Sequence, residues 1–89
     1  MITTRAKLAV GSVRINTDTG NPDGRRTSET LFFTGVCKDG QYPPDGSDED
    51  NSFCLWSPCI NLEIQVNNPA LWDKFKPGQK FYIDFTEAV

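Results

Sequence analysis

Apolar residues recur at every second position over two stretches of this chain. Ile60, Leu62, Ile64 and Val66 alternate with Asn61, Glu63 and Gln65, and Phe81, Ile83 and Phe85 alternate with Tyr82, Asp84 and Thr86. Successive strand side chains point to opposite faces, so each stretch predicts a strand with one buried face. A third stretch, Thr30–Lys38, is apolar in both phases: Leu31, Phe33, Gly35 and Cys37 on one side, Phe32, Thr34 and Val36 on the other. That pattern predicts a central strand covered on both faces. Gly35 would leave room there for a close neighbour such as a large aromatic. Near the N-terminus the phase changes. Leu8 and Val10 share one face, Val13 and Ile15 the other, and Gly11-Ser12 lies between them. One bulge at Gly11-Ser12 returns both pairs to the same face and bends the strand.

The segments between these runs carry turn signals. Asn68 is a good N-cap, Pro69 suits the first helical position, and Leu71, Trp72 and Phe75 stand at helical spacing, which predicts one short helix over 69–75. Pro77-Gly78 ends it in a type II-like turn. Asn21-Pro22 and Asp23-Gly24 punctuate a long polar loop at about 16–29, and Pro43-Pro44 forbids regular pairing in a second at about 39–53. Chain ends usually fray. A C-terminal strand with three large inward residues is therefore expected to be paired, closing the sheet against the first strand. The whole reads as one mainly β domain, 1–89. It would be a small rolled sheet or barrel of four to six strands, an OB-like barrel being one form, with the short helix before the last strand.

Composition narrows the chemistry more than the fold. Eighty-nine residues bury one modest core, built here around ten aromatic residues. No apolar run approaches the roughly 20 residues of a membrane span, and no leader pattern opens the chain, so a soluble protein made in a cytoplasm is expected. Cys37, Cys54 and Cys59 are an odd set with no histidine anywhere. That fits neither a disulfide framework nor a zinc site. They read as three small, partly buried apolar residues, with a Cys54–Cys59 disulfide as the rival in an oxidising place. Without histidine the commonest general base is missing. The acidic run Asp45, Asp48, Glu49, Asp50 does not match the register of an EF-hand loop. No nucleophile elbow or phosphate loop is present, and Asp84 alternates outward as a solvated carboxylate. No enzyme activity, catalytic residue, metal or cofactor is expected.

The net charge of −3 divides unevenly. Up to Lys38 there are six basic residues against three acids, and from Asp39 onward nine acids against three lysines. Such asymmetry marks either a binding face or two halves that interleave in space.

The stretch "NNPALWDKFKPGQKFYIDFTEA", with the acidic "EDNSF" (Glu49–Phe53) and the strand that follows it, resembles small proteins encoded by tailed bacteriophages and prophages. The similarity covers about half of the chain; the first long loop and the cysteines depart from the pattern. It implies an accessory protein: a virion or assembly component, or a binder of host machinery, in the host bacterial cytoplasm or the virion. The expected role is a non-enzymatic protein–protein interaction module, with a phage or host protein, or a second copy, as partner and no membrane. Its candidate contact residues are Arg25, Arg26, Tyr42, Asp45, Asp48, Glu49, Asp50, Trp56 and Tyr82. Single-stranded nucleic acid is the second reading. A basic groove of Arg5, Lys7, Arg14, Arg25 and Arg26, with Trp56 and Tyr82 for base stacking, would serve it, against the handicap of a pI near 4.7.

Overall fold

The computed structural model describes residues 3–18, 20 and 24–89. The alternating stretches form four strands, β1 (Thr3–Thr17), β2 (Arg26–Gly35), β3 (Asn61–Val66) and β4 (Lys80–Thr86). They make one antiparallel sheet in the order β3-β2-β1-β4. β2 and β1 are central, and the C-terminal strand pairs with the first strand from Thr3↔Thr86 to Ala9↔Lys80. The bulge stands where the two apolar phases require it. Val10 faces Phe33 and Ser12 faces Phe32, so Gly11 has no opposite residue. Beyond it Val13 faces Leu31 and Ile15 faces Glu29, on the same side of the sheet as Leu8 and Val10.

That side is the core face. Ala6, Leu8, Val10, Leu31, Phe33 and Val66 are buried on it, and Val13, Leu62, Phe81 and Ile83 pack against them. Each fully buried large side chain contributes about 1.5–3 kcal/mol. The opposite face is polar, yet Ser28 and Thr30 are buried there. Neighbouring side chains cover them: Asn16 Nδ2 donates to Ser28 Oγ (3.0 Å) and Thr30 Oγ1 (2.9 Å), and Gln65 Nε2 donates to Ser28 Oγ (3.1 Å). On the central strand, hydroxyls thus take the place of apolar cover.

The connection from β3 to β4 crosses the core face. Trp72 Nε1 donates to Val66 O (2.9 Å), the Asp73 N–H donates to Glu29 Oε1 (2.7 Å), and the Phe75 and Phe81 ring centroids are 5.4 Å apart. Because this segment lies between β3 and β4, the two edges do not meet. The mainly β fold of four strands is the one expected from the sequence; of its two expected forms, rolled sheet or barrel, the sheet stays open and the barrel is not closed.

Four local expectations are corrected. The helix over 69–75 is a single 3-10 turn, Pro69–Leu71, with Asn68 Oδ1 accepting from the Ala70 N–H (3.1 Å). It stops because Trp72 is extended (φ −66°, ψ 144°) and Asp73 is left-handed (φ 64°). This backbone brings Trp72 and Phe75 onto the core and leaves Leu71 exposed. The first long loop is shorter than 16–29, since β1 runs to Thr17 and β2 starts at Arg26; the second irregular segment is longer than 39–53, spanning 36–60. The turn dipeptides Asn21-Pro22 and Asp23-Gly24 fall mostly outside the described residues. The close neighbours of Gly35 are Ile60 and Pro58, not an aromatic; a Cβ there would lie 3.1 and 3.3 Å from them.

Candidate interaction surface

The irregular segment 36–60 is tied to the sheet through Asn51, which is fully buried. Where the β1–β2 ladder ends, the Val36 N–H donates to Lys7 O (2.9 Å). Asn51 then takes the next rung: its Oδ1 accepts from the Lys7 N–H, and its Nδ2 donates to Val36 O, both at 2.9 Å. A carboxamide has the donor and acceptor of a peptide group, so it extends the ladder by one unit. Ser52 continues along β1, its Oγ accepting from the Arg5 N–H (2.8 Å) and lying 2.9 Å from Thr4 Oγ1. Asp48 supports Asn51 from behind. Its carboxylate accepts from Asn51 Nδ2 (3.0 Å) and from the Asp50 N–H (2.9 Å). The Asn51 amide, chiefly, holds the Asp48 carboxyl below its usual range although burial opposes this.

On this base the segment presents an aromatic. The Trp56 N–H donates to Gly46 O (2.7 Å) and the Gly46 N–H to Pro43 O (2.8 Å). Gly46 has φ +75°, and a Cβ on it would lie 2.6–2.7 Å from indole atoms of Trp56, so only glycine fits. Trp56 is itself left-handed (φ 63°). The Tyr42 ring centroid lies 6.0 Å from that of Trp56, and the Tyr42 hydroxyl accepts from the Lys38 N–H (3.3 Å). The indole is held in place yet 52% exposed, beside Leu55 at 63%.

A second group lies on the polar face of the sheet. Arg5 donates to both carboxylate oxygens of Asp84 (2.7 and 3.3 Å) while its guanidinium carbon lies 4.7 Å from the Tyr82 ring centroid. Lys7 Nζ is 5.9 Å from the same centroid and 3.8 Å from Asp50 Oδ2. Arg14 lies 5.4 Å over Phe32. The hydrogen bond from Arg5 holds the Asp84 carboxyl below its usual range.

The expected contact residues therefore separate. Tyr42 and Trp56 come together; Tyr82 sits with Arg5 and Lys7. The acidic run does not form one patch: Asp45 turns back to accept from the Ser47 N–H (3.0 Å), Asp48 is buried under Asn51, Asp50 faces Lys7, and Glu49 is exposed. Arg25 is exposed. Arg26 is not beside it in function, because it forms a two-pronged pair with Asp73 (both 3.1 Å) and stacks 5.3 Å from the Trp72 ring centroid. All three cysteines are free; Cys37 and Cys59 are exposed, which corrects their reading as partly buried, and burial raises the Cys54 thiol pKa.

Two residues central to this geometry escaped sequence reasoning. Asn51 carries no signal, since its role depends on a ladder end 44 residues away. Glu29 does carry one: it occupies the inward phase of Leu31 and Phe33. It is 1% exposed, Arg26 NH2 lies 3.6 Å from its Oε1, and its Oε2 has no partner among the described residues. Among the described residues no group of three or more histidine, cysteine or carboxylate side chains is placed to hold a metal, and no helix is long and apolar enough to cross a membrane. No family model, curated protein or solved structure matches the chain.

Proposed function

We propose that this protein is a non-enzymatic interaction module that engages a protein partner through Leu55 and Trp56. One observation carries this reading: Trp56 is half-exposed on a backbone fixed by Gly46, Pro43 and Asn51. An exposed aromatic already held in its bound position loses little conformational entropy on association, and Trp is enriched among residues that dominate interfaces. The resemblance to phage and prophage accessory proteins suggests a phage or host protein as partner, met in the bacterial cytoplasm or in the virion. The test is affinity capture from cells that carry the gene, comparing the natural chain with Leu55→Ser/Trp56→Ser. The reading expects a protein retained by the first and lost from the second, with circular dichroism unchanged. Equal retention by both overturns it.

A specific observation also favours the nucleic-acid reading. Arg5, Lys7 and Arg14 share the polar face with Tyr82 and Phe32, which is the pairing of cations and rings that single strands use. It ranks second because Asp84 and Asp50 already face Arg5 and Lys7.

A further inference from the structure

The outer edge of β4 carries unpaired backbone groups at identifiable positions. The Val10 N–H donates to Gln79 O and the Gly78 N–H donates to Val10 O, whereas Lys7 bonds the other way, to Asn51 and Val36. Backbone groups alternate sides along an antiparallel strand. Even-numbered β1 residues before the bulge therefore bond to β4, and through Ala6↔Ile83 and Leu8↔Phe81 it is Phe81, Ile83 and Phe85 that bond back. The N–H and C=O groups of Tyr82 and Asp84 point away from the sheet. The strand Lys80–Thr86 has no proline, no bulge and no inward charge, three of the devices that usually prevent pairing; its two charges, Lys80 and Asp84, are of opposite sign and lie on the polar face.

The molecule also has surface to spare. Its accessible surface is 6288 Å², against about 5,200 Å² expected for a folded monomer of 10.0 kDa. Its radius of gyration is 16.5 Å, against about 12 Å for a compact chain of this length. The excess, roughly 1,000 Å², is comparable to the roughly 800 Å² that each partner buries in a standard interface.

The sequence of β4 is complementary to itself. Set antiparallel about a two-fold axis beside Ile83, Phe81 faces Phe85 of the second copy, Ile83 faces Ile83, Tyr82 faces Asp84, and Lys80 faces Thr86. Apolar residues meet apolar residues on the core face, and Phe85, 45% exposed in one chain, gains a cross-strand aromatic neighbour. On the polar face each Asp84 keeps Arg5 of its own chain, and its two diagonal neighbours in the second copy are Lys80 and Asp84, so the Arg5 pairs and Lys80 offset the facing carboxylates. The other free edge, β3, offers the same apolar register, Leu62 facing Val66 and Ile64 facing Ile64, but it has no aromatic pair and no cation to set against Glu63.

We propose that the β4 edges of two copies pair antiparallel about Ile83, joining two four-stranded sheets into one of eight strands. The surface does not use Leu55 or Trp56. Light scattering and sedimentation equilibrium test it. The natural chain is expected at twice the 10.0 kDa chain mass, with a melting temperature that rises with protein concentration, as for any folded dimer linked to unfolded monomers. Tyr82→Pro removes the ring and an outward N–H and should give a folded monomer; Tyr82→Thr removes the ring but keeps that N–H and should remain dimeric. Ile83→Cys, placed in a chain with Cys37, Cys54 and Cys59 changed to serine, should cross-link to its own copy under mild oxidation, because facing residues lie within disulfide reach. This last readout decides the matter should Tyr82→Pro unfold. A monomer at every concentration, a folded Tyr82→Pro dimer, a monomeric Tyr82→Thr or a dimer without the Ile83→Cys cross-link each overturns the proposal.

Discussion

Replacing Asn51 by alanine strands three groups at once: the Lys7 N–H, the Val36 C=O and one oxygen of Asp48. Buried polar groups left without partners cost about 1–3 kcal/mol each, less where water can reach them. Asn51→Ala is therefore expected to lower stability by about 2–3 kcal/mol in urea denaturation, and a loss below about 0.5 kcal/mol would mean that the side chain is not a rung of the ladder. Asn51→Asp keeps the acceptor but turns the donor into a carboxylate facing Asp48. It should be worse than alanine near neutrality and recover partly on acidification. The natural chain should do the reverse. Asp48, Asp73 and Asp84 are held below their usual range by Asn51, Arg26 and Arg5 respectively. A carboxyl depressed in the folded state binds protons more readily once unfolded. Its contribution is thus complete above the ordinary value of about 3.9 and is lost as pH falls through the lower folded value. The Arg5 and Arg26 pairs are exposed and contribute little, so Asp48 should dominate. Urea midpoints measured from neutrality to strong acid should fall below the ordinary carboxylate range, and less steeply in Asp48→Asn. A flat profile would contradict the assignment.

Among elements, β1 is the most informative, because its bulge reconciles two apolar phases that a regular strand cannot. Deleting Gly11 would remove the unpaired residue and turn Val13 and Ile15 to the polar face. A cost of about 2–3 kcal/mol is expected, comparable to unburying one large side chain. Gly11→Ala should be nearly neutral, since a Cβ there comes no closer than 3.4 Å to Phe32 O and the backbone is not left-handed. Equal losses for deletion and substitution would show that the glycine, rather than the extra residue, matters. The bulge was legible because its cause is local: four apolar residues and a Gly-Ser between them. The strand alternations were legible for the same reason. The ends of β1 and β2 were not. Asn16, Thr17, Arg26 and Ser28 look like loop residues by composition, yet Asn16↔Ser28 and Thr17↔Arg26 are rungs of the sheet, made tolerable by the hydroxyl and amide network around Ser28 and Thr30. The helix over 69–75 failed on distant causes. Asp73 is held left-handed by Glu29, 44 residues away, and by Arg26, 47 residues away. No local propensity encodes either. Trp56 could be picked as a candidate anchor, but the glycine that seats it could not, because Gly46 meets the indole only after the loop has folded.

At the scale of the whole molecule, the uneven charge along the chain partly cancels in space. Arg5 pairs with Asp84, Lys7 with Asp50 and Arg26 with Asp73, so three of the six basic residues of the first half meet an acid of the second, while Arg14 lies over Phe32. To that extent the two halves interleave, and the cations nearest Tyr82 are already paired with carboxylates. Affinity for nucleic acid comes mainly from cations that neutralise phosphates and release counterions. Cations already paired with carboxylates must break those pairs first, and a pI near 4.7 adds long-range repulsion. Binding of a single-stranded oligonucleotide at physiological salt should therefore be negligible. Fluorescence anisotropy at two salt concentrations measures it, with Asp84→Asn as the informative variant. Freeing Arg5 from its carboxylate while leaving Tyr82 in place should raise affinity at low salt, and each phosphate contact should appear as a slope of roughly 0.7 in log affinity against log salt. Micromolar binding by the natural chain, weakening steeply with salt and abolished by Arg14→Glu with Lys7→Glu, would reverse the ranking of the two functional readings. The polar face of the sheet would then be the working surface, and the exposed Trp56 a secondary feature of the fold.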